Sequence, residues 1–428
     1  MKLDTAKGTR DIYPEEAILL QEIQTVLRTN FELFGFNPLQ TPTLEQFETL
    51  SSKYTGGAEI LKETFQLTDQ GERKLGLRYD LTVPFSRFVA MNPQLKMPFK
   101  RYQMRSVFRD GPVGANRLRE FTQCDCDVVG TKNIAADAEC VQLFLQSFSA
   151  LGLSVEVRMN NRKILDAMMD TLDIAQEKRS GVILAIDKLD KKPRKDVEEE
   201  IYELKVKKES VAKLFELLNL KGSNLSILDS IAAFVGKDNE GIVEMRTLLS
   251  YCTEKNVVLV PSLARGLAYY TGSIFEVYAS GSSVTSAIGS GGRYDKMIGS
   301  LLGSSQEYPA VGCSFGLDRI MTLVAEKRKE QIKSVVKVFV VPIGLSLEKV
   351  WPMVTELRGA GVATDVYFAA KSVSKGLEFA NAYKIPYVVF VGEDELEKKK
   401  VKFKDMNSGK EDMLSVKDVV KKVSSLVP

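Results

Sequence analysis

Residues 119, 121, 123, 125 and 127 share parity, so on a single strand they face one way. That face reads Arg119, Phe121, Gln123, Asp125 and Asp127. A core face should be apolar, and a solvated face has no need of Phe121. A polar face with one aromatic suits a ligand platform; a sheet face open to water is the equal alternative. A second cluster, Arg265-Gly266-Leu267-Ala268-Tyr269-Tyr270-Thr271-Gly272, sets an arginine and paired tyrosines between glycines. The glycines permit a close approach of backbone to ligand, although for the cluster alone a strand entry with its aromatics in the core is the better reading. Gly289, Gly291 and Gly292, before Arg293, could form a phosphate-cradling loop. They lack the strand–GxGxxG–helix setting and the Walker lysine pattern. Gly316-Leu317-Asp318-Arg319 reads as a turn feeding a helix, with a structural arginine as the plain alternative.

The chain has no histidine. Ser-His-Asp and Cys-His constellations are therefore excluded, as are His-containing zinc sites and the two-His-one-carboxylate iron site. Catalysis must use carboxylates, Arg, Lys, Tyr, backbone donors or a metal held by oxygens. That points to chemistry governed by charge stabilisation, such as phosphoryl or nucleotidyl transfer.

The elements that must position these groups follow from period and punctuation. Apolar residues at helical spacing from Ile18 to Phe34 predict a helix over 15–34, with Pro14 at its start. Residues 62–78 alternate around Asp69 to Gly71 and predict a hairpin. Residues 101–108 and 119–129 predict an antiparallel strand pair joined by a long loop carrying Gly111, Pro112 and Gly114. From Ile164 to about Glu254 the chain turns rich in Leu, Lys and Glu at helical period, which predicts a helical insertion. Residues 257–278 return to strand composition, and 312–326 read as a strand turning into a helix. Beyond a charged linker, strands and helices alternate from Val335 to Val391, the spacing of parallel strands with right-handed crossovers.

Length and composition set the outer bounds. At 428 residues, with 44% hydrophobic and 27% charged residues, the chain has room for two to four ordinary globular domains. No apolar run reaches a membrane span, and the N-terminus carries no signal-like stretch. Five cysteines do not make a disulfide framework and read as reduced thiols in a cytoplasmic setting. Net charge is only +3, but residues 333–428 hold 15 Lys and 1 Arg against 12 acidic residues. A basic C-terminal unit fits a nucleic-acid contact, and a lysine-decorated solvated surface fits as well.

Together, the clusters resemble class II aminoacyl-tRNA synthetases, specifically the histidyl-tRNA synthetase family, over essentially the whole chain. K-G-T-R-D-I-Y-P at 7–14 is similar to that family's N-terminal signature, and 34–45 to motif 1 with Pro42 as its proline. L-R-Y-D-L-T-V-P at 77–84 resembles the segment that holds the amino group of the amino acid. F-R-D at 108–110 through R-L-R-E-F-T-Q-C-D-C-D at 117–127 resembles motif 2. Residues 263–272 and 289–295 resemble the two histidine-specific motifs, and V-G-C-S-F-G-L-D-R at 311–319 resembles motif 3. The Arg-Gly-Leu-x-Tyr-Tyr motif is the most specific, since sister synthetases lack it.

The resemblance implies an α+β catalytic domain on a mainly antiparallel, six-stranded sheet with flanking helices, over 1–160 and 257–328. It implies a helical insertion over 161–256, an α/β anticodon-binding domain over 333–428, and a homodimer through motif 1. The implied reaction is ATP-dependent activation of L-histidine, then transfer to the 3′ end of tRNA(His), with Mg2+ on the phosphates. Arg109 and Arg265 would flank the α-phosphate, and Arg109, Arg117, Phe121, Arg265 and Arg319 would form the ATP side, Phe121 and Arg319 sandwiching the adenine. The histidine side would comprise Asp80, Leu81, Thr82, Arg109, Gln123, Asp127, Arg265, Tyr269 and Tyr270. Within it Asp80, Thr82 and Gln123 would take the ammonium, and Asp127 and Tyr270 one imidazole nitrogen each. The chain departs from the family at Gly111, often Glu and here flanked by Asp110 as a substitute, and at Ala268, often Asp. Rival readings are a non-catalytic regulatory paralogue of ATP phosphoribosyltransferase and a glycyl, threonyl or prolyl enzyme. The retained C-terminal unit and the Tyr269-Tyr270 pair speak against them.

Overall fold

The computed structural model describes residues 3–52, 61–114, 118–265, 269–282, 284–328, 332–369 and 372–424. The chain forms two compact units, Met1–Asp11 with Ile23–Lys327 and Ile12–Glu22 with Arg328–Pro428. The first expected helix is α1 (Pro14–Leu33), in which Leu19, Ile23, Leu27 and Phe31 recur every four residues and are all buried.

In chain order, the first unit continues with β1 (Asn37–Pro38), β2 (Leu44–Gln46), α2 (Phe47–Ser52), β3 (Gln66–Thr68), β4 (Lys74–Leu77) and α3 (Thr82–Met91). The long strands β5 (Phe99–Phe108) and β6 (Glu120–Val129) lead to α4 (Ala135–Ala150) and β7 (Val155–Asn161). Six helices follow: α5 (Arg162–Thr171), α6 (Gln176–Ile186), α7 (Arg194–Glu203), α8 (Lys208–Leu218), α9 (Asn224–Val235) and α10 (Glu240–Tyr251). The unit closes with β8 (Val257–Leu259), β9 (Ser273–Ala279), β10 (Gly289–Arg293), α11 (Met297–Leu301), β11 (Ala310–Gly316) and α12 (Leu317–Lys327).

Eight strands form the main sheet, in the order β1-β5-β6-β11-β10-β9-β7-β8. The six central strands pair antiparallel, as expected, and only the short edge strands β1 and β8 pair parallel with their neighbours. The expected hairpin is β3 and β4, which form a small sheet with β2. The glycine-dense stretch forms β10, near the middle of the sheet, rather than a phosphate-cradling loop. Its glycines serve close packing: a Cβ on Gly291 would lie 2.2 Å from the Gly312 carbonyl oxygen on the neighbouring strand.

The two faces of β6 have different fates. Cys124, Cys126 and Val128 lie opposite Phe315, Cys313 and Val311 of β11 and are buried. Phe315 packs on Phe31 of α1 and on Phe144 and Phe148 of α4, with ring centroids 4.8–5.4 Å apart, so helices cover this face. The other face of β6 is the polar one. The helical segment carries its own apolar interior, including Val182, Ile186, Val197, Ile201, Leu214 and Phe215. Asn161, Ser223 and Asn239 cap α5, α9 and α10 by accepting backbone N–H bonds.

The second unit contains β12 (Val338–Pro342), α13 (Leu347–Gly359), β13 (Thr364–Val366), α14 (Val373–Ala382), β14 (Tyr387–Val391), α15 (Glu393–Glu397), β15 (Val401–Asp405), β16 (Glu411–Leu414) and α16 (Val416–Ser424). Strand order is β13-β12-β14-β15-β16; the first three run parallel, as their spacing predicted, and β15 and β16 add an antiparallel edge. Both faces are covered. Val338, Val340, Val389 and Val391 join Val350, Val354 and Leu357 of α13 and Val419 of α16. Phe339, Val341, Val388 and Phe390 join Ala380 of α14. That double burial is why β12 and β14 read as continuous apolar runs.

Candidate active site

Cross-strand register builds the floor of a cavity of about 1050 Å³ in the first unit. Gln123, Asp125 and Asp127 point into it from β6 and lie opposite Arg105, Gln103 and Arg101 of β5. On the other side they lie opposite Gly316, Ser314 and Gly312 of β11. Asp127 is thus set between a buried guanidinium and a glycine. Arg101, fully buried, pairs with Asp127 Oδ2 at 2.6 Å, donates to the Leu81 carbonyl at 3.3 Å and lies 4.3 Å over the Phe85 ring. The Tyr294 hydroxyl donates to Asp127 Oδ1 at 2.6 Å. A Cβ on residue 312 would stand 2.0 Å from that same oxygen, so only glycine lets the carboxylate sit there.

Two carboxyls of this floor share one buried cation. Burial pushes the Asp125 carboxyl up to about 7; Arg101 opposes this, and Asp127 adds to it. Burial and the Asp127 charge likewise raise the Tyr294 hydroxyl.

At one end of the floor, Asp80 Oδ1 accepts from the backbone N–H groups of Thr82 and Val83 at 3.1 and 2.9 Å, fixing the first turn of α3. Arg109 follows β5, and its guanidinium lies between the Tyr79 and Phe121 rings, 4.3 and 4.8 Å from their centroids. One face of Phe121 is therefore taken by Arg109. Asp110 pairs with Arg119 at 3.0 Å and is not among the described residues that line the cavity.

Arg265 enters from the opposite wall. Glu276 of β9 pairs with its guanidinium, and the Ser290 hydroxyl of β10 lies 3.4 Å away. Tyr278 donates to the second Glu276 oxygen at 2.5 Å, which holds that carboxylate toward the arginine. Burial works against the Arg265 charge, but Tyr270 and Glu276 outweigh it and raise its pKa. Tyr269 and Tyr270 pack with their rings tilted and centroids 4.5 Å apart, and burial raises the Tyr269 hydroxyl. Arg319 lines the cavity from the first turn of α12 and donates to the Ala287 carbonyl.

Ten of the expected residues therefore line one cavity: Asp80, Thr82, Arg109, Phe121, Gln123, Asp127, Arg265, Tyr269, Tyr270 and Arg319. Leu81 does not; it is fully buried, and its carbonyl serves Arg101. Arg117 and Ala268 lie outside the described residues. Arg101, Glu276 and Tyr294 were missed as site residues. Arg101 and Glu276 showed only charge inside strand-like sequence, which carries no partner identity, while Tyr294 lay within the 289–295 motif already singled out. Asp125 was visible by parity on the platform face.

Comparison with known proteins agrees with this geometry. The family described as Histidyl-tRNA synthetase matches residues 8–320, and the Anticodon binding domain family matches residues 337–426. A histidine–tRNA ligase 1 of Bacillus cereus is 40% identical over 417 residues, covering 96% of this chain and 95% of the relative. A histidine–tRNA ligase of Clostridium tetani is 32% identical over 441 residues, covering 98% and 99%. The crystal structure of histidyl-tRNA synthetase from Nostoc sp. PCC 7120 superposes with a TM-score of 0.87 at 27% identity over all of both chains. On these matches and on the cavity its motifs line, the chain belongs to the histidyl-tRNA synthetase family of class II aminoacyl-tRNA synthetases.

Proposed function

We propose that this chain is a histidine–tRNA ligase in which the cavity makes histidyl-adenylate from L-histidine and ATP and then passes the histidyl group to the 3′ end of tRNA(His). The observation that carries the reading is the pairing of two guanidiniums, Arg109 and Arg265, with a floor of hydrogen-bond acceptors in one cavity.

Activation joins two anions. A carboxylate oxygen of histidine attacks the α-phosphorus of ATP, a new O–P bond forms, and the bond to the departing pyrophosphate breaks. Arg109 would bridge the carboxylate and the α-phosphate, and Arg265 would meet the phosphate from the other side. Both remain charged throughout, so the step needs no proton relay. Glu276 supports this by keeping Arg265 oriented before ATP arrives. Asp80, Thr82 and Gln123 would take the ammonium, and Asp127 and Tyr270 would face the ring. Adenine would stack on the Phe121 face turned away from Arg109, with Arg319 opposite.

Among the described residues, no three carboxylate or thiol side chains converge on a metal position. Magnesium would therefore arrive with ATP, held by phosphate oxygens and water. The domains would run over 1–160 with 257–328, 161–256 and 333–428, and the last would bind the anticodon. The anticodon-family match and the basic balance of that segment support this. A homodimer through the 34–45 segment is supported by exposed Leu33 beside it and exposed Leu44 within it. A cytoplasmic setting is supported by five free, buried cysteines.

Histidine-dependent exchange of pyrophosphate with ATP tests the activation step, and acylation of tRNA(His) tests the transfer. Arg265→Ala should lower exchange by about 10²–10³. Exchange that does not require histidine, or that survives this substitution, would reject the assignment.

A further inference from the structure

Tyr278 carries one hydroxyl proton, and two carboxylates compete for it. On β9 it shares a face with Glu276, and its hydroxyl lies 2.5 Å from Glu276 Oε2. The same hydroxyl lies 3.1 Å from Oδ2 of Asp190, in the connection between α6 and α7 of the helical segment. Ionised carboxylates only accept, so a single O–H cannot serve both fully. Burial, with Glu276 and Asp190 beside it, raises the Tyr278 hydroxyl, so it remains a donor at neutral pH.

The groups around this proton are themselves held. Arg158 of β7 lies 4.2 Å over the Tyr278 ring and pairs with Glu156 at 2.8 Å, which clamps the ring from one side. Oε1 of Glu276 takes Nη1 of Arg265. Asp190 travels with the helical segment, because Lys188 and Lys192, on either side of it in the chain, both pair with Glu200 of α7 at 2.6 Å. What can change is the direction of one O–H bond. Turned to Glu276, it holds that carboxylate toward Arg265. Turned to Asp190, it gives up that hold.

We propose that Asp190 is a positioning residue for Arg265: it draws the Tyr278 proton away from Glu276, so the seat of the helical segment on the sheet sets how firmly the arginine is aligned. Hydrogen bonds to ionised acceptors are the strong ones, which gives the competition its weight. Glu276 is 9% exposed while Asp190 is exposed, so Glu276 keeps the larger share and Asp190 acts as a brake. With the helical segment drawn back, the hydroxyl serves Glu276 and Arg265 is best aligned for the α-phosphate. This rests on reading the cavity as a histidine-activating site.

The test is a double-mutant cycle in pyrophosphate exchange by the full chain, at saturating histidine and ATP. Tyr278→Phe removes the hydroxyl and keeps the ring. It should lower kcat about 10-fold with the histidine KM within about 2-fold, as for a group that acts through another. Asp190→Ala should raise kcat about 3-fold, the size of effect one exposed carboxylate exerts. Asp190→Asn leaves a neutral, weaker acceptor and should raise kcat less. In the Tyr278→Phe background Asp190→Ala should change nothing, because the hydroxyl through which it acts is gone. A kcat that is unchanged or lower in Asp190→Ala, or a change of equal size in both backgrounds, would overturn the proposal while leaving the histidine-activating reading intact. Absence of histidine-dependent exchange in the natural chain would remove that reading itself, and this assignment with it.

Discussion

A buried guanidinium between two carboxyls is the main electrostatic feature of the site. Arg101 is 0% exposed and is the cation that Asp125 and Asp127 share. Removing one member of a buried pair leaves an uncompensated charge, typically at a cost of about 3–5 kcal/mol. Asp127→Ala should therefore act twice. It should raise the histidine KM far more than the ATP KM, because the Arg109 and Arg265 contacts remain. It should also lower the melting temperature, because Arg101 loses its partner. A larger effect on ATP than on histidine in exchange kinetics would reject the role given to Asp127. Asp125 makes a second prediction, about stability. The folded chain keeps its proton up to about pH 7, whereas an unfolded carboxyl releases it near about 3.9. Folding takes up that proton between these limits, so this group's contribution to stability falls as pH rises from about 4 to about 7. Asp125→Asn should not show that decline. Melting curves at several pH values for the two chains measure the difference, and parallel curves would contradict it.

Strand register is what turns scattered residues into a site. Parity within residues 119–129 was legible, because alternation is a property of one strand. The partner of each residue was not, because pairing joins segments distant in the chain. Arg101 meets Asp127 across β5 and β6, and Gly312 meets it from β11. The β10 glycines were misread for the same reason: a glycine-rich string looks like a loop until the strands beside it are known. Gly312→Ala tests the register directly. Its Cβ would fall 2.0 Å from Asp127 Oδ1 and 2.9 Å from the Cys126 carbonyl oxygen, and backbone cannot yield cheaply. Overpacking of this kind costs about 1–3 kcal/mol. The variant should melt earlier and need more histidine in the exchange assay. Unaltered melting and histidine KM would mean that the close approach has no energetic weight.

At the scale of the whole molecule, the second unit has its own sheet and two apolar clusters, and no residue of it is among the described residues that line the cavity. A chain ended near residue 330 should therefore still form histidyl-adenylate while charging tRNA poorly. Undiminished acylation by that truncation would show that the C-terminal unit has no part in tRNA recognition. The sequence by itself determined the first helix, predicted over 15–34 and found at Pro14–Leu33, the hairpin, the β5–β6 pair and the alternating strands and helices of the second unit, because period and turn chemistry are local. Through the motifs that resemble histidyl-tRNA synthetases, it also named ten residues that line one cavity. Tertiary structure decided the order of the eight strands and the place of the glycine-rich stretch within the sheet. It also decided the partners of Asp127 and the isolation of Asp125 Oδ1. Those depend on contacts between segments tens to hundreds of residues apart, and on the low dielectric that burial creates, neither of which a local pattern of side chains encodes.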